Sequence, residues 1–417
     1  MKYQHIYNQI RSKMGSLLLM LCISALWLSC KKNEEPPIPV GKPIKYSGQM
    51  LGSIDSALQK SPYTLFYAAW KQGGLDSLVA AVKPSSLTIY APTDSAFTAA
   101  GYTMSRIKST SKPILDSLLL FHIGLGTYVD STLTTLNGTT EVTTLLQSAN
   151  PPQSVPPSFP FNAGTPYIYS LFVSPNNGFW INGKQVKTRQ KNITAFHAII
   201  YPINQVLQKP DKDIYAILNS DPRFSYLMAS YRMSDSLVIA NIGFLIKSDT
   251  TNLYLSPNFS NVTLFAPTND VFIKFLAGVY HKNTSAVTLD DLRNYQNRTT
   301  GQIDFNELSP IDTLISCYNV NYGFGRNSSS TRPLVTGSTW LYNDLLYNAA
   351  SLSGYVVSPA RSGGYPAVIV DLDFPHTGNQ VQVKRHTSNT SPPVNITQHD
   401  IMATNGVIHI VDGILQP

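Results

Sequence analysis

The residues that could do chemistry in this chain are few and scattered. Three cysteines (Cys22, Cys30 and Cys317) and eight histidines stand in 417 residues. There is no Gly-x-Ser-x-Gly elbow, no His-Glu-x-x-His pair and no phosphate-cradling glycine loop, so none of the common hydrolase, zinc-protease or nucleotide-binding signatures is present. Asp371, Asp373 and His376 in "DLDFPH" come nearest to a metal site, because residues two apart on a strand share a face. No spacing supplies a third and fourth ligand. Cys317 has no recognisable base partner and reads as a small buried hydrophobe. His122 and His409 lie in apolar stretches and read as core histidines that satisfy hydrogen bonds. No catalysis, cofactor or metal is expected; two carboxylates about 5–10 Å apart in a cleft would revive a glycosidase.

Cys30 has a different chemistry open to it. A basic stretch (Lys2, Arg11, Lys13) precedes the apolar run "MGSLLLMLCISALWLS", Met14 to Ser29, which is short for a membrane span and fits a signal-peptide core. The small residue Ser29 directly before Cys30 resembles the lipobox of bacterial lipoproteins, although Trp27 stands where that pattern prefers leucine. The resemblance implies acylation of Cys30. Lys31, Lys32, Glu34 and Glu35 then resemble the signal that sends some Gram-negative lipoproteins to the cell exterior. The expected address is the outer membrane, facing outward, held in the lipid bilayer by acyl chains at roughly 0.8 kcal/mol per buried methylene. "PPIPVGKPIK" follows, too rich in proline for helix or central strand, and reads as a tether.

Composition narrows the partners. Lys+Arg 31 against Asp+Glu 24 gives +7, and losing Lys2, Arg11 and Lys13 with a leader leaves 28 against 24. With no basic stripe, nucleic acid is not an expected partner. Only 13% of residues are charged while 43% are apolar, enough for packed cores under a neutral, hydroxyl-rich surface. Cys30 and Cys317 could pair, but Cys30 has the better use, so no disulfide framework is expected. The length suggests two or three domains.

The elements that organise the chain are repeated. "LTIYAPTDSAF" (Leu87 to Phe97) returns as "VTLFAPTNDVF" (Val262 to Phe272). Leu87, Ile89 and Ala91 alternate with Thr88 and Tyr90, as do Val262, Leu264 and Ala266 with their neighbours, which argues for strands. Pro92 and Pro267 end each ladder. Thr93, Asp94 and Thr268 read as caps of the helix that follows. "FHAIIYPINQVLQKP" (Phe196 to Pro210) and "ATNGVIHIVDGILQP" (Ala403 to Pro417) close the two units, with Asn405-Gly406 a hairpin-turn pair and Tyr201 standing where His409 does. Pro202 belongs on an edge or at a strand end.

Together these segments resemble the two signatures of the fasciclin domain family. "LLLFHIGLGTY" (Leu118 to Tyr128) is similar to the family's middle motif; "LISCYNVNYGF" (Leu314 to Phe324) is its counterpart, with Tyr318-Asn319 where Phe121-His122 stand. The resemblance implies an α+β chain of two fasciclin-like domains, each a β-sandwich-like wedge with helices packed on it. Residues 1–29 are then a signal peptide, 30–46 a lipid-anchored tether, 47–209 the first domain and 210–417 the second, with a long insertion at about 319–399. Pro92, Thr93, Asp94, His122, Pro267, Thr268, Asn405, Gly406 and His409 are family-motif positions and read as structural.

Three features stay open. Tyr63, Phe66, Tyr67 and Trp70 fall at helical spacing, as a ligand platform or, by preference, a packed helix. Both units carry excess length holding aromatics: Phe179 and Trp180 in the first, Trp340, Tyr342 and Tyr347 in the second. Long loops with exposed rings can meet a sugar or a protein, or can pack as an extra hairpin. Asp before Ser or Thr at positions 55, 76, 94, 116, 130, 235, 249 and 312 resembles bacterial O-glycan acceptor sites, and also starts helices. The family resemblance implies a non-enzymatic adhesion or ligand-binding protein at the cell surface. The alternative is an accessory lipoprotein that captures glycans for an outer-membrane transporter.

Overall fold

Each Ala-Pro-Thr segment is a strand that proline ends and threonine turns into a helix, and each lies beside its own domain's closing strand. This is seen in a computed structural model. It describes residues 52–82, 86–128, 139–148, 167–175, 177–186, 191–242, 262–296, 311, 314, 319–320, 339–347, 372–385 and 392–415, with backbone alone at 234–242, 262, 296 and 319–320. The expected leader and tether, Cys30, Cys317, Tyr318, Asp371 and much of both insertions lie outside these residues.

The first domain runs α1 (Ile54–Gln59), α2 (Thr64–Gly73), α3 (Leu75–Val82), β1 (Leu87–Pro92), α4 (Asp94–Ala99), α5 (Met104–Ser109) and α6 (Lys112–Phe121). It continues β2 (Ile123–Leu125), β3 (Thr140–Ser148), β4 (Tyr167–Ser174), β5 (Trp180–Ile181), β6 (Lys184–Gln185), β7 (Ile193–Ala195) and β8 (Ala198–Ile203). The second runs α7 (Ile214–Ser220), α8 (Ser225–Ile242), β9 (Val262–Pro267), α9 (Asn269–Tyr280), α10 (Leu289–Gln296), β10 (Asn319–Val320) and α11 (Tyr342–Tyr347). It closes with β11 (Leu372–Asp373), β12 (His376–Thr377), β13 (Gln380–Arg385), β14 (Val394–Ala403) and β15 (Gly406–Val411).

The sheet orders are β6-β5-β4-β3-β2-β1-β8-β7 and β10-β9-β15-β14-β13-β11, with β12 also pairing β13. In each, the opening and closing strands pair in parallel: Leu87 with Ala198 through Pro92 with Ile203, and Val262 with Gly406 through Pro267 with Val411. A parallel pair needs a crossover, and here nearly the whole domain forms it. Tyr90 pairs with Tyr201 and Phe265 with His409, so the two closing motifs align. Pro202 lies beyond Ile200, the outermost residue that β7 pairs, and so interrupts no β7 ladder. The middle motifs need a correction of one place. Ile123 stands opposite Ile89 and Asn319 opposite Leu264, so Asn319 corresponds to Ile123 and not to His122.

Alternation in β1 sorts two cores rather than core from solvent, since all six residues are buried. Leu87, Ile89 and Ala91 pack on the helical side with Phe66, Trp70, Phe97 and Leu119. Tyr90 packs on the other side with Phe121, Leu171, Phe179 and Tyr201. Tyr63, Phe66 and Trp70 are likewise buried, so that aromatic stripe is a helix face in the core and not an open platform. The α+β wedge with packed helices, built twice, is the fold the sequence led us to expect.

Candidate functional site

The motif residues act mainly as connectors. Thr93 caps its own helix, its Oγ1 accepting from Ala96 N–H at 3.3 Å. Asp94 does not, which corrects its reading as a cap of α4. Its carboxylate accepts from Thr64 Oγ1 at 2.5 Å and from Leu65 N–H at 2.9 Å, capping α2, whose own N-cap residue Tyr63 makes no side-chain cap bond. Asn269 repeats this in the second domain: its Oδ1 accepts from Tyr226 N–H at 3.0 Å, and its Nδ2 donates to Pro222 O at 2.8 Å. Thr268 also differs from expectation, flanking α9 with no side-chain cap bond. Asn405 caps at a distance too, accepting from Ile214 N–H at 2.9 Å beside the tight turn that carries Gly406.

The two motif histidines are buried bridges. His122 Nε2 accepts from Leu207 N–H at 3.0 Å, so its Nδ1 carries the proton and donates to Leu118 O at 2.8 Å. Burial pulls its pKa down to about 4, so the ring is neutral. His409 Nδ1 accepts from Asp400 N–H at 3.3 Å and its Nε2 donates to Trp340 O at 2.7 Å; burial lowers its pKa as well. Each ring ties two backbone segments together and presents no free nitrogen for proton transfer.

The aromatic residues do not gather into an exposed platform. Phe179 is buried and stacks on Tyr201 with centroids 4.2 Å apart. Trp180 is half-buried in β5, where it pairs with Ser174 and Gln185. Trp340 is buried edge-on to Phe374 at 6.0 Å. Tyr342 stacks on His399 at 3.9 Å, and its hydroxyl donates to Asn379 O at 2.6 Å while accepting from Val381 N–H at 2.9 Å. Tyr347 keeps 42% exposure, with its hydroxyl taking a bond from Asn177 Nδ2 at 2.9 Å. Buried apolar area accounts for Phe179 and Trp340, and the two tyrosine hydroxyls are bonded within the protein, whereas the indole N–H groups of Trp180 and Trp340 are buried without a partner among the described residues.

Tyr347 belongs to a seam between the two domains that sequence reasoning missed. Phe172 packs with Leu341 and Val407. Thr139 donates from both N–H and Oγ1 to Asp344 Oδ1, at 3.1 and 2.7 Å, and Asn343 Nδ2 donates to Ser174 Oγ at 2.9 Å. The Tyr167 hydroxyl donates to Thr404 O. Gly183, at φ +74, lies so close to Asp400 that a Cβ there would meet its Cγ at 2.4 Å.

An open cleft of about 630 Å³ lies elsewhere on the first domain, between Ile54, Trp70, Val79, Phe196 and His197. Phe196 is 60% exposed on its rim. Asp55 and Asp76 border the cleft, and Lys71 joins them at 3.1 and 2.8 Å; those bonds, to Asp76 first, raise the lysine's pKa. The Trp70 indole donates to Asp76 at 2.8 Å and the Tyr67 hydroxyl to Asp55 at 3.1 Å. Both carboxylates are thus engaged, and the cleft suits contact with an apolar group more than acid–base work.

Among the described residues no group of three His, Cys, Asp or Glu could hold a metal, and no helix is long and apolar enough to cross a membrane. Asp373 pairs with Lys384 in the β11–β13 ladder, while exposed His376 faces Gly378 O at 3.3 Å. Of the Asp-Ser/Thr sites, Asp55, Asp76 and Asp94 lie in first helical turns, and Asp116 pairs with Lys112 within α6.

The fasciclin domain family model matches residues 61–209 and 359–417. Among solved structures, the chain is similar to a FAS1 domain pair from the insect cell adhesion molecule fasciclin I. The identity is 14% and the TM-score 0.30, over 86% of this chain and 98% of that one. No curated protein matches the chain. Fasciclin domains are non-catalytic modules of adhesion and ligand binding, found typically outside cells or on their surfaces.

Proposed function

We propose that this chain, which carries two fasciclin domains in tandem, is a lipid-anchored adhesion protein on the outside of a Gram-negative cell. The observation that carries the reading is the match of one adhesion-module family to residues 61–209 and again to the closing segment 359–417. The leader-like run ending at Ser29-Cys30 supports the anchor. On this reading Cys30 is acylated, residues 30–46 hold the folded part off the membrane, and 47–209 and 210–417 are the two modules. Adhesion fits the chemistry of the motif residues, which bridge and cap and leave no nucleophile with a base.

The test is expression of the full chain and of Cys30→Ser in a Gram-negative host fed labelled palmitate. The full chain is expected to take up label, fractionate with the outer membrane, lie open to external protease and make cells adhere. Cys30→Ser is expected to lose label and adhesion together. Adhesion by Cys30→Ser cells equal to that of the full chain would rule out the anchor as its basis. Glycan capture with a co-purifying transporter, in place of adhesion, would favour the nutrient-uptake role.

A further inference from the structure

A second open cleft, of about 610 Å³, lies on the first domain where the turns after α4 and α5 meet the start of α6. That size is in the range of small-ligand sites. Its walls carry Tyr102, Arg106, Ser109, Thr110, Ser111 and Ile114, and among the described residues no carboxylate lines it. Arg106 is exposed, and its guanidinium makes no ion pair or hydrogen bond among the described residues. The hydroxyls of Ser109 and Thr110 both donate to the Arg106 backbone carbonyl, at 3.0 and 2.7 Å. Their protons are spent inside the protein, so toward a ligand these two oxygens can only accept. Ser111 is the reverse case: it flanks α6 without a side-chain cap bond, and its hydroxyl is free to donate. The Tyr102 ring is held against Phe97 with centroids 5.5 Å apart, and Ile114, 57% exposed, adds an apolar side.

We propose that this cleft binds an acidic sugar, a carboxylated unit of a polysaccharide, with Arg106 taking the carboxylate. The inference names a ligand class for the adhesion role above and rests on that role for its use at the cell surface. Arg106 alone would suit any anion; the rest of the wall selects among them. A sulfate ion offers only acceptors and would leave the Ser109 and Thr110 lone pairs facing its own. A neutral sugar would leave the guanidinium without a countercharge. A uronic acid meets both demands. Its carboxylate fits the planar guanidinium fork through parallel hydrogen bonds. Its ring hydroxyls can donate to Ser109 and Thr110 and accept from Ser111. The apolar C–H face of the sugar ring has Tyr102 and Ile114 to pack on. An acidic peptide supplies the carboxylate but not the hydroxyls.

Titration calorimetry of the full chain in detergent, with oligogalacturonate as the probe, tests this. Wild type should bind it, and should bind its methyl ester, which keeps the rings and loses the charge, about tenfold more weakly. Arg106→Gln should lose a similar factor, and Arg106→Lys, which keeps the charge but not the fork, should fall between. The Arg106 side chain makes no bond within the described residues, so both variants should melt as wild type does. Lys108→Gln removes an exposed charge outside the cleft and should stay within about twofold of wild type. No wild-type binding at millimolar oligogalacturonate would overturn the site, as would equal binding of the methyl ester. So would binding unchanged in Arg106→Gln, or lost equally in Lys108→Gln, which would mean diffuse charge attraction. Polyglutamate bound as tightly as oligogalacturonate would give the cleft to acidic peptides instead. The readout involves no cell or bead contact, so its failure and a failure of the adhesion role are told apart.

Discussion

Asp94 and Asn269 stand at the same place in their two domains, and each caps a helix that is not its own. Asp94 reaches back to Thr64 and Leu65 at the start of α2; Asn269 reaches back to Tyr226 in the first turn of α8. The fourth residue of the repeated Ala-Pro-Thr-(Asp/Asn) motif thus ties the central strand's exit to the helix that precedes it. Replacing Asp94 by alanine leaves Thr64 and Leu65 without that acceptor. The expected cost is about 1–2 kcal/mol of first-domain stability, with Asp94→Asn costing less because Asn269 does the same work. Thermal unfolding of the three chains measures it.

His122 sets a pH dependence of its own. Its folded pKa of about 4 lies below the ordinary 6.5, so the unfolded chain binds the proton more readily. The contribution is complete above about pH 6.5 and falls as pH drops toward 4, by up to roughly 3 kcal/mol. His122→Phe keeps the ring but strands the Leu207 N–H, at a cost of about 1–3 kcal/mol near neutral pH. In urea denaturation at stepped pH, that variant should show a shallower acid slope than wild type.

The aromatic residues separate packing from recognition. Phe179→Ala and Trp340→Ala should each cost about 3–5 kcal/mol, as buried rings do. Tyr347→Phe, at 42% exposure, loses only the Asn177 bond and should stay within about 1 kcal/mol of wild type. Urea unfolding curves for the three variants give the comparison.

How much of this was legible in the sequence depends on the range of the interaction. The strand ending at Pro92 and the cap at Thr93 follow from neighbours in the chain, and both were readable from alternation and turn chemistry. Asp94 was misread because its partner lies 30 residues back, and nothing local distinguishes a cap for one helix from a cap for another. Phe179 and Trp340 looked like recognition rings because composition does not say which face a short strand or turn will bury. The seam was not legible as a seam: Thr404 and Val407 lie in the closing motif without marking it, and Thr139, Asp344 and Asn343 are ordinary polar residues until two domains bring them together. Gly183 was its one sequence signal, as the second half of an Asn-Gly pair inside "FWINGKQV".

That glycine offers a clean perturbation of the seam. Gly183→Ala adds backbone strain at φ +74 and drives a methyl into Asp400, so seam amides should exchange faster while the first-domain core is unaffected. Gly101→Ala is the control. Its φ of +83 carries similar strain, about 1 kcal/mol, but a Cβ there meets nothing within 4 Å. Faster seam exchange in Gly183→Ala alone is the expected result.

Adhesion itself is best measured on beads. The full chain is incorporated through its anchor into lipid-coated beads, which are then scored for clustering with one another and for attachment to surfaces bearing matrix proteins or glycans. Clustering or attachment that rises with surface density, and is lost with Cys30→Ser protein that fails to load, is the result predicted for an adhesion module. Beads that carry folded full-length chain at high density, yet neither cluster nor attach to any surface, would contradict it.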